Sequence, residues 1–570
     1  MLKIMTTPFS INGITLSPKP GKKYWQNCHR EWREEFIYFL FLDRFHDDRE
    51  RLPLEFQERH AGFGSEEQLG KTCGGTLRGV TAHLDYIRNL GCTALWLNPV
   101  FQNNRGAYHG YAVENYLKVD ARYGTNEDLE RLVEEAHRRD MRVFLDIVLH
   151  HSGDNWSYPG GYGYQYSNGI RFPFGEWLND DLPQPAELRN PELYNRKGEI
   201  QNFDAFPETL EGDFYGLKAF RNDGSPEAEY VQDLLTAIHC YWVREADVDG
   251  FRLDAVKHLT EETVSRFCSS VREYAYSLGK RNFFLFGELI AGDEVHTRYM
   301  GPKMPLSRRD QNLYDGLNSV LDFQLWGMLE GVIKGKDSPE RLIERYAALQ
   351  WNARNRGENG EFLVTFLDNH DQVGQAFKRR FGYEATPAQI VAGVGFLLCA
   401  LGTPCIYYGT EQGMDGHGNS DHFIRECLFN PDDETSNLLN SQSLIYRSIA
   451  AIAHFREKCA VLKFGRMFMR EISASGIQFH LPECNRCTLA FSRILFTQEV
   501  LVVYNSSETE AKEEYVLLDP AINQDNEWMY PVFGIEKKVK ILSGEDENSA
   551  PIRYVKFHLE PMQFLILKNY

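Results

Sequence analysis

Eight apolar runs, interleaved with helix-like segments between residues 34 and 455, constrain this 570-residue chain more than anything else in it. The runs cover 36–43, 94–99, 143–149, 250–254, 283–288, 319–323, 362–368 and 405–408. Most are continuously apolar rather than alternating, the pattern of strands covered on both faces of a parallel sheet. Between the first two, Leu77, Val80, Leu84 and Ile87 make a helical stripe that ends at Gly91. Between the second and third, Thr125-Asn-Glu-Asp128 gives an N-cap signal, followed by Leu129, Leu132, Val133 and Ala136 on one face. Eight strand–helix units predict an α/β fold of the (β/α)8 TIM-barrel class, whose reactive groups gather at the C-terminal ends of the strands.

A single ordinary core does not extend over 570 residues, so further domains are expected. The connection 152–228 is rich in Gly, Tyr, Asn, Asp and Pro and is too long for a plain loop. It reads as an inserted subdomain after strand 3 that walls one side of a cleft. From residue 459 the pattern changes to short strands with turns, as in Leu501–Tyr504 and in Val555, Phe557 and Leu559 alternating with Lys556 and His558. The expected division is an N-terminal arm over 1–33, a barrel over 34–151 and 229–458, the insertion 152–228, and a C-terminal all-β sandwich over 459–570. The arm packs on the barrel or forms short strands of its own.

The net charge of −19 excludes nucleic acid as the main partner, because phosphate binding needs clustered Lys and Arg. The one charge-free run of membrane-spanning length, 390–408, is interrupted by Gly402-Thr-Pro404 and reads as a buried helix, turn and strand, so no membrane partner is expected. The N-terminus shows no secretory signal pattern, and the eleven cysteines are an odd, scattered set. Free thiols in a reducing, cytoplasmic compartment are the expectation. Cys484 and Cys487 form one CxxC, which with no second pair nearby reads as a turn between strands.

Three of the runs end on a carboxylate: Arg252-Leu-Asp254-Ala-Val-Lys257-His258, Phe-Gly-Glu288, and Asp368-Asn-His370-Asp371. Two carboxylates on either side of a glycosidic bond supply a nucleophile and a proton donor, and a third can hold hydroxyls and raise the donor's pKa. Each alone has a plain alternative, an ion-paired or surface residue. Their order and their placement at strand ends carry the signal.

With these motifs, over about residues 35–570, the chain resembles the α-amylase family, glycoside hydrolase family 13. The resemblance implies that Asp254 is the nucleophile of a retaining mechanism, oriented by Arg252, and Glu288 the acid/base. It implies that Asp371 and His370 hold sugar hydroxyls, that Tyr111 is a stacking platform, and that His109 lies beside it. Asp146-Ile-Val-Leu-His150-His151 is similar to the motif ending the third strand, with His151 contacting the sugar and Asp146 supporting the site. Lys257 and His258 match a pair that contacts leaving-side sugars of α-1,4 chains. Trp156 and Trp177 either stack on sugars or pack the insertion's own core.

Two departures stand out. His150 occupies the position where the family usually has an Asn that ligates calcium, and imidazole is a poor calcium ligand, so neither a metal nor another cofactor is expected. The stretch Gly416 to Glu426 departs from the family's usual Asp-Pro-x-x-Arg-like loop. The expected activity is hydrolysis of α-1,4-linked glucans or maltooligosaccharides, so the expected partner is an oligosaccharide or polysaccharide substrate. A transglycosylase or isomerase acting on sucrose, maltose or trehalose is the alternative, and a non-catalytic carbohydrate-binding member a second one. Oligomeric state is left open.

Overall fold

Ile37-Tyr-Phe-Leu40 places four apolar side chains in a row, and all four are buried on both sides of one strand. The same holds for the strands beside it. In the computed structural model, β1 (Ile37–Leu40), β2 (Ala94–Leu97), β3 (Arg142–Ile147), β4 (Gly250–Leu253), β5 (Phe284–Gly287), β6 (Ser319–Val320), β7 (Val364–Thr365) and β8 (Thr403–Tyr407) form one sheet, in the order β6-β5-β4-β3-β2-β1-β8-β7. Every ladder in it is parallel. A parallel bridge from Leu321 to Val364 joins its two ends and closes the barrel. The structure describes residues 10–26, 29–54, 62–165, 171–303, 314–356, 363–372, 374–433, 436–546 and 549–570, with 303, 314 and 350–356 as backbone only. The first nine residues of the expected arm, and Phe362 at the start of the seventh expected run, lie outside these.

Several strands are shorter than their apolar runs, because polar side chains stop them. Asp322 accepts from Leu325 N at 2.9 Å and caps a helix, so the run 319–323 turns helical at Phe323. Asn98 accepts from Leu42 N at 2.7 Å, where the first run leaves the sheet for a helical turn. The stripe from Leu77 to Ile87 is also not one helix. It is two, α1 (Leu77–Ala82) and α2 (Leu84–Asn89), broken at His83. The His83 ring takes Gly79 O at 2.8 Å, the carbonyl its own amide would use in a continuous helix. The next helix, α3 (Asn126–Arg138), starts on Thr125 with a reciprocal capping box to Asp128. The long α4 (Pro226–Ala246) returns the chain to β4.

The barrel's lower end is closed by the segment before β1. Trp32 stacks on Phe284 at 4.2 Å, and the Arg142 guanidinium lies 4.0 Å over the Trp32 ring, paired with buried Glu35 at 2.8 Å. Within the lumen Phe39 stacks on Trp96 at 3.7 Å. The run 390–408 is the buried helix α5 (Pro387–Cys399), a turn at Gly402 with φ of 114°, and β8. Among the described residues no helix is long and apolar enough to cross a membrane.

In the insertion, His151–Ser152 pairs with Lys218–Ala219. Trp156 is enclosed by Tyr158, Phe174 and Tyr194, and Trp177 lies against Phe174 and Tyr194, so both tryptophans pack the insertion's own core. After the barrel, ten strands form two antiparallel sheets of six and four. Leu501, Val503, Val516, Val555, Phe557, Leu565 and Leu567 fill the space between them. The outer face of the six-stranded sheet joins the barrel core, with Phe491 5.2 Å from Phe396 of α5. Cys484 and Cys487 flank a turn in which Arg486 adopts φ of 53°.

Candidate active site

Strand pleating sets the site. Arg252 and Asp254 are two residues apart on β4 and its extension and therefore point the same way. Register then brings Asp146 of β3 level with Arg252. The result is one guanidinium shared by three carboxylates. Arg252 Nη1 donates to Asp146 at 2.8 and 3.0 Å and to Asp254 Oδ1 at 2.8 Å, and Nη2 lies 2.9 Å from Glu288 Oε2. Ala255, in the left-handed region at φ of 52°, turns its amide toward Glu288 Oε2 at 3.3 Å. Trp96 and Tyr111 complete the shell of Asp146, donating to its Oδ2 at 3.2 and 2.9 Å.

Tyr111 continues the network across the barrel mouth. Its hydroxyl lies 2.7 Å from His370 Nε2, and its ring is near-parallel to those of His370 and His109. His109 Nδ1 accepts from Tyr111 N at 3.0 Å. His151 lies behind Tyr111, with only 1% of its surface exposed and Nε2 3.2 Å from Tyr111 O. Asp371 follows His370 at the same rim. His258 is anchored to Thr209 O of the insertion at 2.7 Å, and Lys257 pairs with Asp204 of the insertion. The structure thus brings Asp254, Glu288, Arg252, Asp146, Tyr111, His109, His151 and His370 into one network. Asp371 stands at its edge, and Lys257 and His258 lie where the insertion meets the mouth.

Burial dominates the electrostatics. It pushes Asp254, Asp146 and Asp371 up to about 6, opposed at the first two by Arg252. Burial also raises Glu288, and the charge of Asp254 adds to this against the pull of Arg252. The imidazoles move the other way: burial holds His109 and His151 at about 3, His258 at about 4, and His370 well below its usual range. The site therefore combines carboxyl groups whose proton affinity burial raises with histidines that stay neutral, a suitable lining for an uncharged polyol.

Arg425 was not singled out from the sequence, because the loop around it departs from the family pattern. It is buried, donating Nε to His370 O at 2.8 Å and Nη1 to Tyr108 OH at 3.1 Å, and its charge lowers Asp371. An arginine between Phe423-Ile424 and Leu428-Phe429 is a charge in an apolar run, and that was the available signal. Trp96, in the middle of an apolar strand, carried none.

His150 does not fit calcium. Its Nδ1 lies 3.2 Å from His151 Nδ1, its ring is 4.6 Å from Phe214 and 5.5 Å from His258, and its buried Nε2 has no hydrogen-bond partner. Those neighbours are rings, whereas calcium takes six or more oxygens.

Residues 39–445 match the model of the α-amylase catalytic domain. The chain belongs to the α-amylase family. It is 27% identical over 548 residues to an α-amylase of Streptomyces lividans, covering 85% of this chain but only 56% of that relative's length. It is 26% identical over 495 residues to a cyclomaltodextrin glucanotransferase of Klebsiella oxytoca, covering 79% of this chain and 70% of the relative. The solved structure of an Anoxybacillus α-amylase superposes with a TM-score of 0.68 at 25% identity, over 95% of this chain and 98% of the other.

Proposed function

We propose that the protein is a retaining glycosidase that acts on α-1,4-linked glucans or maltooligosaccharides through a covalent intermediate on Asp254, without calcium. The observation that carries this reading is the sharing of Arg252 among Asp254, Glu288 and Asp146 at the C-terminal ends of adjacent barrel strands. Arg252 holds Asp254 ionised and aimed at the anomeric carbon. Glu288, protonated by burial and by its negative neighbour, gives its proton to the leaving oxygen. An ester forms on Asp254 as the glycosidic bond breaks, and water activated by Glu288 then cleaves that ester. Asp371 and His370 hold hydroxyls of the ring as it flattens, and Tyr111 offers its face to the pyranose. Lys257 and His258 line the leaving side.

Transfer to a sugar instead of water is the second reading. It is favoured by relatives of near-equal identity that include both an α-amylase and a glucanotransferase. The two readings share every step up to the ester and differ in the acceptor. Incubation with maltoheptaose in the presence of EDTA, with Asp254→Asn as control, separates them. Shorter maltooligosaccharides alone, formed at the same rate with and without the chelator, are the expected result. Longer or cyclic products would move the assignment to transfer. An Asp254→Asn variant with undiminished turnover would remove Asp254 from the role given to it, and a rate abolished by EDTA would restore a metal.

A further inference from the structure

Arg44 follows β1 and is fully buried, yet the chemistry described above does not use it. Its guanidinium lies 4.2 Å over the Tyr108 ring, Nη2 donates to Leu69 O and Lys71 O at 2.8 Å each, and Nε faces Asp43 Oδ2 at 3.0 Å. The remaining nitrogen, Nη1, points at two sulfurs, Cys73 Sγ at 2.7 Å and Cys427 Sγ at 3.8 Å. The two thiols also hydrogen bond to each other, although 354 residues separate them in sequence.

Their surroundings differ. Cys73 is half-buried beside the exposed Lys71 and Thr72, and its amide is fixed by Asp43 Oδ2 at 2.8 Å. Cys427 is buried, locked by paired 2.9 Å hydrogen bonds to Phe63. The hydrogen bond from Cys427, with the charge of Arg44, draws the Cys73 thiol below its usual range, while burial pushes that of Cys427 well up. One sulfur is therefore reachable and easily ionised, and the other is enclosed and keeps its proton. None of the other described cysteines has this arrangement: Cys484 is exposed, and burial pushes Cys487 up to about 11 and Cys399 to about 12.

We propose that Cys73 and Cys427 form a peroxide-sensitive modification site, in which Cys73 is oxidised first and Cys427 closes a reversible disulfide. The Cys73 thiolate attacks the outer oxygen of a hydroperoxide. The S–O bond forms as the O–O bond breaks, the sulfur loses two electrons, and the departing alkoxide or hydroxide takes a proton and leaves as alcohol or water. The Cys427 sulfur then attacks the sulfenic sulfur. The S–S bond forms as the S–O bond breaks, and hydroxide leaves with the Cys427 proton as water. Two thiol–disulfide exchanges with an external dithiol restore both groups. The site borders the cleft, since Tyr108 under Arg44 also accepts from Arg425, two residues before Cys427.

The test uses the full chain, exposed to hydrogen peroxide, with timed aliquots alkylated, digested and mapped by mass spectrometry. The expected result is a Cys73–Cys427 linked peptide pair, formed about tenfold faster than any oxidation at the exposed Cys484 and removed by dithiothreitol. In Cys427→Ser, dimedone is expected to capture a lasting sulfenic acid on Cys73. Oxidation of Cys484 while Cys73 remains alkylatable overturns the proposal, as does oxidation of Cys73 with no link to Cys427. The mapping on the unsubstituted chain decides the matter even where a cysteine variant does not fold.

Discussion

Asp371 shows how a single side chain trades stability for chemistry. It is recessed in the mouth, with Glu288 and Asp421 raising its pKa and Arg425 and Lys378 lowering it, and burial leaves it at about 6. An unfolded Asp titrates near about 3.9. Between those values the folded state binds the extra proton, so the penalty for the buried charge grows as pH rises through this window and is constant above it. Asp371→Asn removes the charge and keeps the shape. It is therefore expected to raise Tm at pH 7.5 by a few degrees and to make little difference at pH 4, while turnover falls by orders of magnitude. Calorimetry at the two pH values checks this, and an Asn variant less stable at pH 7.5 would show that the carboxylate is held by bonds rather than strained by burial.

At the scale of elements, the strands were legible because both faces are covered. A parallel barrel strand has no polar side to interrupt its apolar run, and all eight runs became strands of the barrel. Their ends were less legible, because a cap such as Asp322 or a clamp such as Asn98 acts through one hydrogen bond that leaves no periodicity. The break at His83 was hidden for the same reason. In the site, the carboxylates stood out as charges ending apolar runs. Arg425 did not, because its purpose depends on His370 and Tyr108, which are far from it in sequence. The two insertion tryptophans could not be assigned until their neighbours were known. Trp32 gives this level its prediction. It floors the barrel between Phe284 and Arg142, far from the carboxylate ends of the strands. Trp32→Ala is expected to lower stability by about 3 kcal/mol in urea unfolding, as truncation of a buried aromatic does, with kcat at 25 °C nearly unchanged. A variant equally stable would mean that the floor relaxes to fill the gap.

Across the molecule, the outer face of the six-stranded sheet shares one core with the barrel rather than touching it at a polar seam, while a second cluster fills the space between the two C-terminal sheets. Arg493, buried on the six-stranded sheet, donates to Cys399 O and Ala400 O at the end of α5, at 2.8 and 2.6 Å, and to Gly465 O. Tyr504 of the same sheet donates to Ile333 O at 2.8 Å. Removing Arg493 leaves several buried carbonyls without their donor, at a cost of roughly 3 kcal/mol. Arg493→Ala is therefore expected to lower Tm while the protein still melts in one transition. Two separated transitions would show that the two parts are only loosely joined.

The single guanidinium between three carboxylates also sets a clock. In the resting enzyme the charge on Asp254 helps keep the proton on Glu288. On the mechanism proposed, that charge disappears into an uncharged ester in the same step that draws the proton away. Arg252, at 2.9 Å from Glu288, then has one fewer anion competing for it and steadies the new carboxylate. When water or a sugar later frees Asp254, its returning charge drives the proton back onto Glu288. Each half of the cycle resets the acid for the next, with no moving part and no outside signal.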